Sequence, residues 1–78
     1  MYFVYILKCA DGTFYTGYTH NLEERMERHV KGYVEYTSHR LPVQMVFSAA
    51  FLQQSKALDF EKYLKSGSGI AFRNRHLV

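Results

Sequence analysis

Apolar residues gather in two β-rich runs near the start of the chain, Tyr2–Lys8 and Thr13–Tyr18, whose β-branched and aromatic content marks strands. Side chains on a strand alternate between its two faces, so Tyr5 shares one with Phe3 and Leu7. Between them stands Ala10-Asp11-Gly12, and an Asp-Gly pair there predicts a tight hairpin. The period then changes. Leu22, Met26 and Val30 recur at helical spacing, with Asn21 as N-cap, Glu24 three residues on as in a capping box, and Gly32 as terminator. This predicts a helix over 22–30 that faces inward through Leu22, Met26 and Val30, with His29 beside Leu22 and Arg25 on the shoulder. Tyr33–Leu41 has no period and reads as a loop. Pro42 suits the start of a third strand, Val43–Phe51. A second helix follows over about Ser55–Lys65, its apolar face formed by Ala57, Leu58, Phe60 and Leu64. Gly67-Ser68-Gly69 then leads into a short basic helix or tail over Ile70–Leu77.

The expected order is therefore ββαβα plus a tail. It predicts a single α/β (α+β) domain over 1–78, with a three-stranded antiparallel sheet flanked by helices. A chain of 78 residues has a thin core, burying about 60% of its unfolded surface, so a buried polar group stands out. Five stand out here. Tyr5 and Tyr15 fall where a hairpin would turn both phenols to one side. Arg25 and His29 are stacked one turn apart toward the sheet, and Glu61 falls in the middle of an apolar stripe. Each has a plain structural alternative: core tyrosines with wet hydroxyls, a snorkelling arginine, a satisfied histidine, and a glutamate paired with Arg25.

Charge and composition narrow the chemistry. The net charge is +3, yet residues 1–61 carry six Lys/Arg against seven Asp/Glu. The excess lies in Lys62, Lys65, Arg73 and Arg75, with no acid after residue 61, which fits a polyanion partner or a merely solubilising end. Tyr36, Thr37, Ser38, His39 and Arg40 could add phosphate contacts from the central loop. No apolar run reaches membrane length and no signal-peptide pattern opens the chain. The single Cys9 can form neither an internal disulfide nor a thiolate metal site, so the cytoplasm is the expected setting. His20, His39 and His76 lack metal-ligand spacing among themselves. Taken together, one carboxylate without a second acid suits a hard divalent cation, Mg²⁺ or Mn²⁺, that keeps its waters and takes phosphate oxygens. With an inward arginine and a phenol, that combination predicts phosphodiester hydrolysis.

The pattern also resembles the GIY-YIG nuclease domain, which occurs in small bacterial proteins, homing endonucleases and the incision subunit of nucleotide excision repair. Phe3-Val4-Tyr5 stands for the first motif, with Phe3 in place of its glycine, and Tyr15-Thr16-Gly17 for the second. The run from Gly17 through Arg25, His29 one turn later, and Glu61–Gly67 resemble the two helices that follow. By this resemblance Tyr5 is the proton acceptor or water-positioning phenol and Tyr15 its partner. Arg25 steadies the scissile phosphate, His29 assists proton transfer or phosphate binding, Glu61 holds Mg²⁺, and Asn74 answers to a late asparagine of the family. The implied function is a metal-dependent endonuclease acting on nucleic acid, with DNA the expected partner, in repair or recombination and with a protein that recruits it. The expected nucleic-acid contacts are Tyr36, His39, Arg40, Lys65, Arg73, Asn74 and Arg75, and the alternative is a non-catalytic nucleic-acid-binding module carried by Tyr36, His39, Arg40, Arg73 and Arg75.

Overall fold

The computed structural model describes all 78 residues. Strands β1 (Tyr2–Lys8) and β2 (Phe14–Thr19) form the hairpin, pairing antiparallel with Tyr5 opposite Gly17 and Leu7 opposite Tyr15. Its turn is closed by the Cys9 N–H to Thr13 O bond of 2.8 Å and by Asp11 Oδ1, which accepts from the Thr13 N–H and hydroxyl. Gly12 supplies the positive φ, +86°, that the turn requires. Strand β3 (Gln44–Phe51) pairs antiparallel on the other side of β1, giving the order β2-β1-β3 with a bulge opposite Ile6 and Leu7.

The two sheet faces do different work. One carries Tyr2, Val4 and Ile6 of β1, with Phe14 and Tyr18 of β2 and Phe47 and Phe51 of β3. Against it packs α3 (Gln54–Leu64), whose Ala57 and Leu64 are buried with Val4 and Ile6 while Phe60 meets Phe47 and Phe51. Burying side chains of this size contributes about 1.5–3 kcal/mol each for the larger ones, so the stability of the fold is concentrated here. Helix α4 (Gly67–His76) docks on α3, so closely that a Cβ on Gly69 would collide with the Tyr63 carbonyl.

The opposite face carries Tyr5, Leu7, Tyr15 and Gly17, and α1 (Leu22–Val30) covers part of it. Asn21 caps α1 as expected, its side chain accepting from the Glu24 N–H at 3.1 Å. His29 faces the sheet as expected, but the aliphatic stripe beside it is not buried. His29 is the only buried residue of α1, whereas Val30 is 60% exposed. Leu22, Met26 and Val30 instead border an open groove of about 600 Å³ beside Met45. The reason is that this sheet face offers a phenol as a hydrogen-bonding partner, so the imidazole docks where an aliphatic stripe would otherwise have gone.

Two further expectations are corrected. The segment read as a loop over 33–41 contains a one-turn helix, α2 (Glu35–Ser38), closed by the Ser38 N–H to Val34 O bond. One turn has no measurable period, and its N-cap Val34 has no capping side chain. Gly67-Ser68-Gly69 is not a connector but the first turn of α4, because Ser66 Oγ caps it by accepting from the Gly69 N–H at 3.2 Å. No helix is long and apolar enough to cross a membrane.

Candidate active site

Gly17 makes the site possible. Tyr5 lies directly across from it in the sheet, and the phenol ring crosses the glycine so closely that a Cβ there would overlap the ring carbons and the hydroxyl. The ring is thereby pressed flat over β2 instead of standing away from the sheet. Tyr5 is wholly buried, and its hydroxyl lies 2.8 Å from His29 Nε2. His29 is wholly buried too, and its Nδ1 lies 2.7 Å from the Thr37 hydroxyl. Tyr15 closes the third side, its ring 5.1 Å from the imidazole and 6.3 Å from the Tyr5 ring. Two phenols and an imidazole thus form one aromatic cluster, roofed by α1 and locked from α2.

Charge surrounds this cluster. Arg25 projects from α1 toward β2, where its Nη1 donates to the Tyr18 carbonyl at 3.3 Å, and it stands close enough to Tyr5 to pull the phenol pKa down. Burial wins nevertheless. It pushes Tyr5 up to about 12, with the neighbouring Tyr15 adding to the rise and Glu61 also raising it. Burial likewise pushes His29 down to about 4, with repulsion from Arg25 and Arg28 in the same direction. At neutral pH the site therefore holds a protonated phenol and an uncharged imidazole.

Glu61 sits at the rim, not at the centre of the apolar face of α3. Its side chain is 22% exposed, and its Oε2 pairs with Lys65 Nζ at 3.1 Å. The cross-core pair with Arg25, weighed above as an alternative, is not formed. No three His, Cys, Asp or Glu side chains gather anywhere in the chain to hold a metal ion. A single accessible carboxylate still fits Mg²⁺, which is commonly held by one or two carboxylates plus water and substrate phosphate.

The expected nucleic-acid contacts divide. Tyr36, Lys65 and Arg73 line a groove of about 320 Å³ with Phe14 and Tyr15, alongside the edge strand β2. Tyr36 packs on Tyr15 at 5.5 Å, continuing the aromatic cluster outward, and the Arg73 guanidinium lies over Phe14 at 5.0 Å. Arg40 is engaged in the fold. Its guanidinium covers the Tyr36 ring at 4.0 Å and its Nε lies 3.2 Å from Asp11 Oδ2. Together with the Thr13 hydrogen bonds, which act most strongly, Arg40 holds the Asp11 carboxyl below its usual pKa. Asn74 accepts from Arg73 through Oδ1 at 3.0 and 3.1 Å, while Arg75 and His39 are exposed away from the groove. Thr37, grouped above with the phosphate-touching residues, is wholly buried against His29 and cannot reach a ligand. The sequence held one clue to this. A buried histidine needs partners for both nitrogens, and a hydroxyl eight residues downstream was available.

An antiparallel sheet with a phenol–imidazole–arginine cluster on one face and a carboxylate at its rim is the architecture of a small nuclease-like α+β domain. The chain belongs to the GIY-YIG family, matching the GIY-YIG catalytic domain over residues 1–71. It is 45% identical over 65 residues to a UPF0213 protein of Pediococcus pentosaceus, covering 82% of this chain and 68% of that one. A UPF0213 protein of Staphylococcus aureus is 41% identical over 66 residues, covering 83% of this chain and 80% of its own. The solution NMR structure of a UPF0213 protein from Bacillus halodurans superposes with a TM-score of 0.58 at 36% identity, over 92% of this chain and 81% of that one.

Proposed function

We propose that this domain is a divalent-metal-dependent endonuclease that hydrolyses phosphodiester bonds in nucleic acid, DNA before RNA. The observation that supports this reading best is the convergence of Tyr5, Tyr15, Arg25 and His29 on one side of the β1–β2 hairpin, with the Glu61 carboxylate near enough to act on the Tyr5 phenol. A plain core of a 78-residue chain would not gather two phenols, an imidazole and a guanidinium at the cost of desolvating them.

Arg25 is the group that neutralises a phosphate oxygen as charge builds there, because guanidinium donors strengthen as that oxygen becomes more anionic. Tyr5 orients the attacking water; it releases its own proton to solvent as positive charge gathers around the phenol, and the phenolate then takes the proton of the attacking water. With its pKa at about 12 the phenol is almost wholly protonated near pH 7, so its activity depends on that added charge. Tyr15 holds the Tyr5 ring in place, and Tyr36, Lys65 and Arg73 carry the strand along the β2 groove. Glu61 would hold Mg²⁺ or Mn²⁺, which when bound would supply positive charge to the reacting phosphate. Repair or recombination of DNA in a reducing cytoplasm, with a protein partner to recruit so small a domain, is the setting such chemistry serves.

The test is cleavage of supercoiled plasmid and branched DNA with Mg²⁺ or Mn²⁺. Wild-type protein nicks the substrate, Glu61→Ala abolishes nicking, and Tyr5→Phe lowers it by about 10²-fold or more. Nicking that survives Glu61→Ala refutes the metal assignment. The Lys65 pair on Glu61 favours a second reading, a non-catalytic nucleic-acid-binding module in which that lysine occupies the cation's place. A salt-dependent gel shift without cleavage under any divalent ion would establish it.

A further inference from the structure

Strand β3 has the composition of an interior strand and the position of an edge. Its residues, Gln-Met-Val-Phe-Ser-Ala-Ala-Phe, include no charge and no proline. Edge strands of monomeric domains are blunted by lysine, proline or a covering element, because an open row of N–H and C=O groups pairs with any strand it meets. No residue of β3 is buried, whereas Val4, Tyr5, Ile6 and Leu7 of the neighbouring β1 are wholly so. No strand beyond β1 pairs with its backbone. Helix α3 buries Ala57 and Leu64 against Val4 and Ile6 of β1 and reaches β3 through Phe60, so the outer edge stays open. The other edge, β2, is guarded by charge. Arg25 donates to its Tyr18 carbonyl, and Lys65 and Arg73 line the groove alongside.

The bulge in β3 falls at Val46, which is skipped between the pairs Leu7–Met45 and Ile6–Phe47. From Phe47 to Phe51 the pairing is regular, with Ala49 at its middle. A second copy laid antiparallel about Ala49 sets no like charges against each other. Phe47 falls opposite Phe51 and Ser48 opposite Ala50, each pair on one face of the sheet. The phenylalanine pairs extend the cluster that Phe47 and Phe51 form with Phe60. In the same register Leu52, the most exposed large apolar side chain at 83%, falls opposite Val46 of the other copy. That position adjoins Met45, which walls the apolar groove under α1. The strand is about 27 Å long, and the molecule is 17 Å across its smallest extent. An edge of that size offers about 500 Å² from each copy, near the lower limit of about 1,000 Å² in total for a specific interface.

We propose that the outer edge of β3 is a self-association surface, on which a second copy of this chain pairs antiparallel about Ala49 to form one six-stranded sheet. The two-fold axis of such a pair stands perpendicular to the sheet, so both candidate active sites open on the same side. An interface at the small end of the range gives a dissociation constant in the micromolar region. The dimer does not depend on the nuclease reading.

Sedimentation equilibrium of the full chain, from about 5 μM to about 1 mM, tests the association. The expected mass rises from 9.2 kDa toward twice that value. Amide hydrogen exchange at the highest concentration locates the surface. In the dimer every amide from Phe47 to Phe51 is protected, whereas in a monomer those facing away from β1 exchange freely. Ser48→Lys with Ala50→Lys, both at exposed positions, sets lysine opposite lysine twice across the axis and weakens association by about 10-fold or more. Ser48→Lys with Ala50→Glu sets opposite charges there and restores it. A chain that stays monomeric at the highest concentration overturns the proposal and leaves the edge to a strand of another protein. Growth beyond a dimer, with β2 pairing as well, also overturns it, as does a dimer that the two lysines leave intact. Should the variants not fold, the mass and exchange pattern of the wild-type protein decide.

Discussion

Mild acid should undo part of the fold through one residue, His29. In the folded protein its side chain is wholly buried, and burial, with repulsion from Arg25 and Arg28, holds its pKa at about 4 against the usual 6.5. Once the chain unfolds, the imidazole regains water and the usual value. Between these two pH values the unfolded chain binds a proton that the folded chain refuses. Stability therefore falls as pH falls from 6.5 toward 4, and this contribution levels off below that. Each pH unit within the window costs up to about 1.4 kcal/mol. Moving from pH 7 to pH 5 thus removes about 2 kcal/mol, and the whole window about 3 kcal/mol.

A domain of this length has a total stability of about 4–12 kcal/mol, so the loss is large. It corresponds to a fall in Tm of about 8–16 °C between pH 7 and pH 5. Asp11 and Glu27 also have depressed pKa values, from Thr13 and Lys31 respectively, followed by weaker causes. Their contributions are present above the usual carboxylate values and are lost only as pH falls below about 4.5, so they leave the window above pH 5 clear. Urea unfolding at pH 7, 6 and 5, with a constant slope against denaturant, measures the effect. His29→Gln is the reference, less stable at pH 7 but flat across the same range. Equal pH slopes for the two proteins would refute the reasoning.

Three other outcomes follow from named contacts. Gly17→Ala places a methyl group inside the Tyr5 ring and should destabilise the fold by about 1–3 kcal/mol in urea, and an unchanged midpoint would mean that the ring does not lie where it is described. Arg25→Gln removes a positive charge that lowers the pKa of both His29 and Tyr5, so an NMR titration should find both raised. A fall in either contradicts the placement of Arg25. Lys65→Ala and Arg73→Ala should each reduce the slope of log binding constant against log salt by about 1 in DNA-binding titrations, whereas no change would remove the β2 groove from the interface.

Local signals in the sequence were reliable where the structure is local. The Asp11-Gly12 turn, the Asn21 cap and the stop at Gly32 each depend on residues within a few positions, and the hairpin and α1 form where those residues predict. α2 and the start of α4 were missed for the opposite reason. The first is a single turn docked through Thr37 to a histidine eight residues away, and the second is a glycine-rich turn that Ser66 makes helical. The site residues could be nominated one by one from their oddity, but not their relations. The Glu61–Lys65 pair follows the i, i+4 spacing of the predicted helix, but nothing in the sequence indicates that Arg40 is spent on Asp11.

The orientation of α1 has the most general physical lesson. Periodicity puts Leu22, Met26, Val30 and His29 on one face and predicts that its aliphatic part is buried most deeply, because burying apolar area is favourable and burying an imidazole is not. That comparison assumes an apolar surface to bury against. The sheet face beneath α1 is not one: Gly17 lets the Tyr5 ring lie down over β2, and its hydroxyl waits there for a partner. A helix presenting leucine to that hydroxyl would leave it unsatisfied, at a cost of about 1–3 kcal/mol. Presenting His29 satisfies it and recruits Thr37 for the second nitrogen, so three buried polar groups cancel one another's desolvation. α3 and α4, on the other face, supply the hydrophobic stability that this arrangement forgoes. A glycine on β2 therefore decides how the helix that begins five residues later settles on the sheet, and with it how closely His29 approaches the phenols.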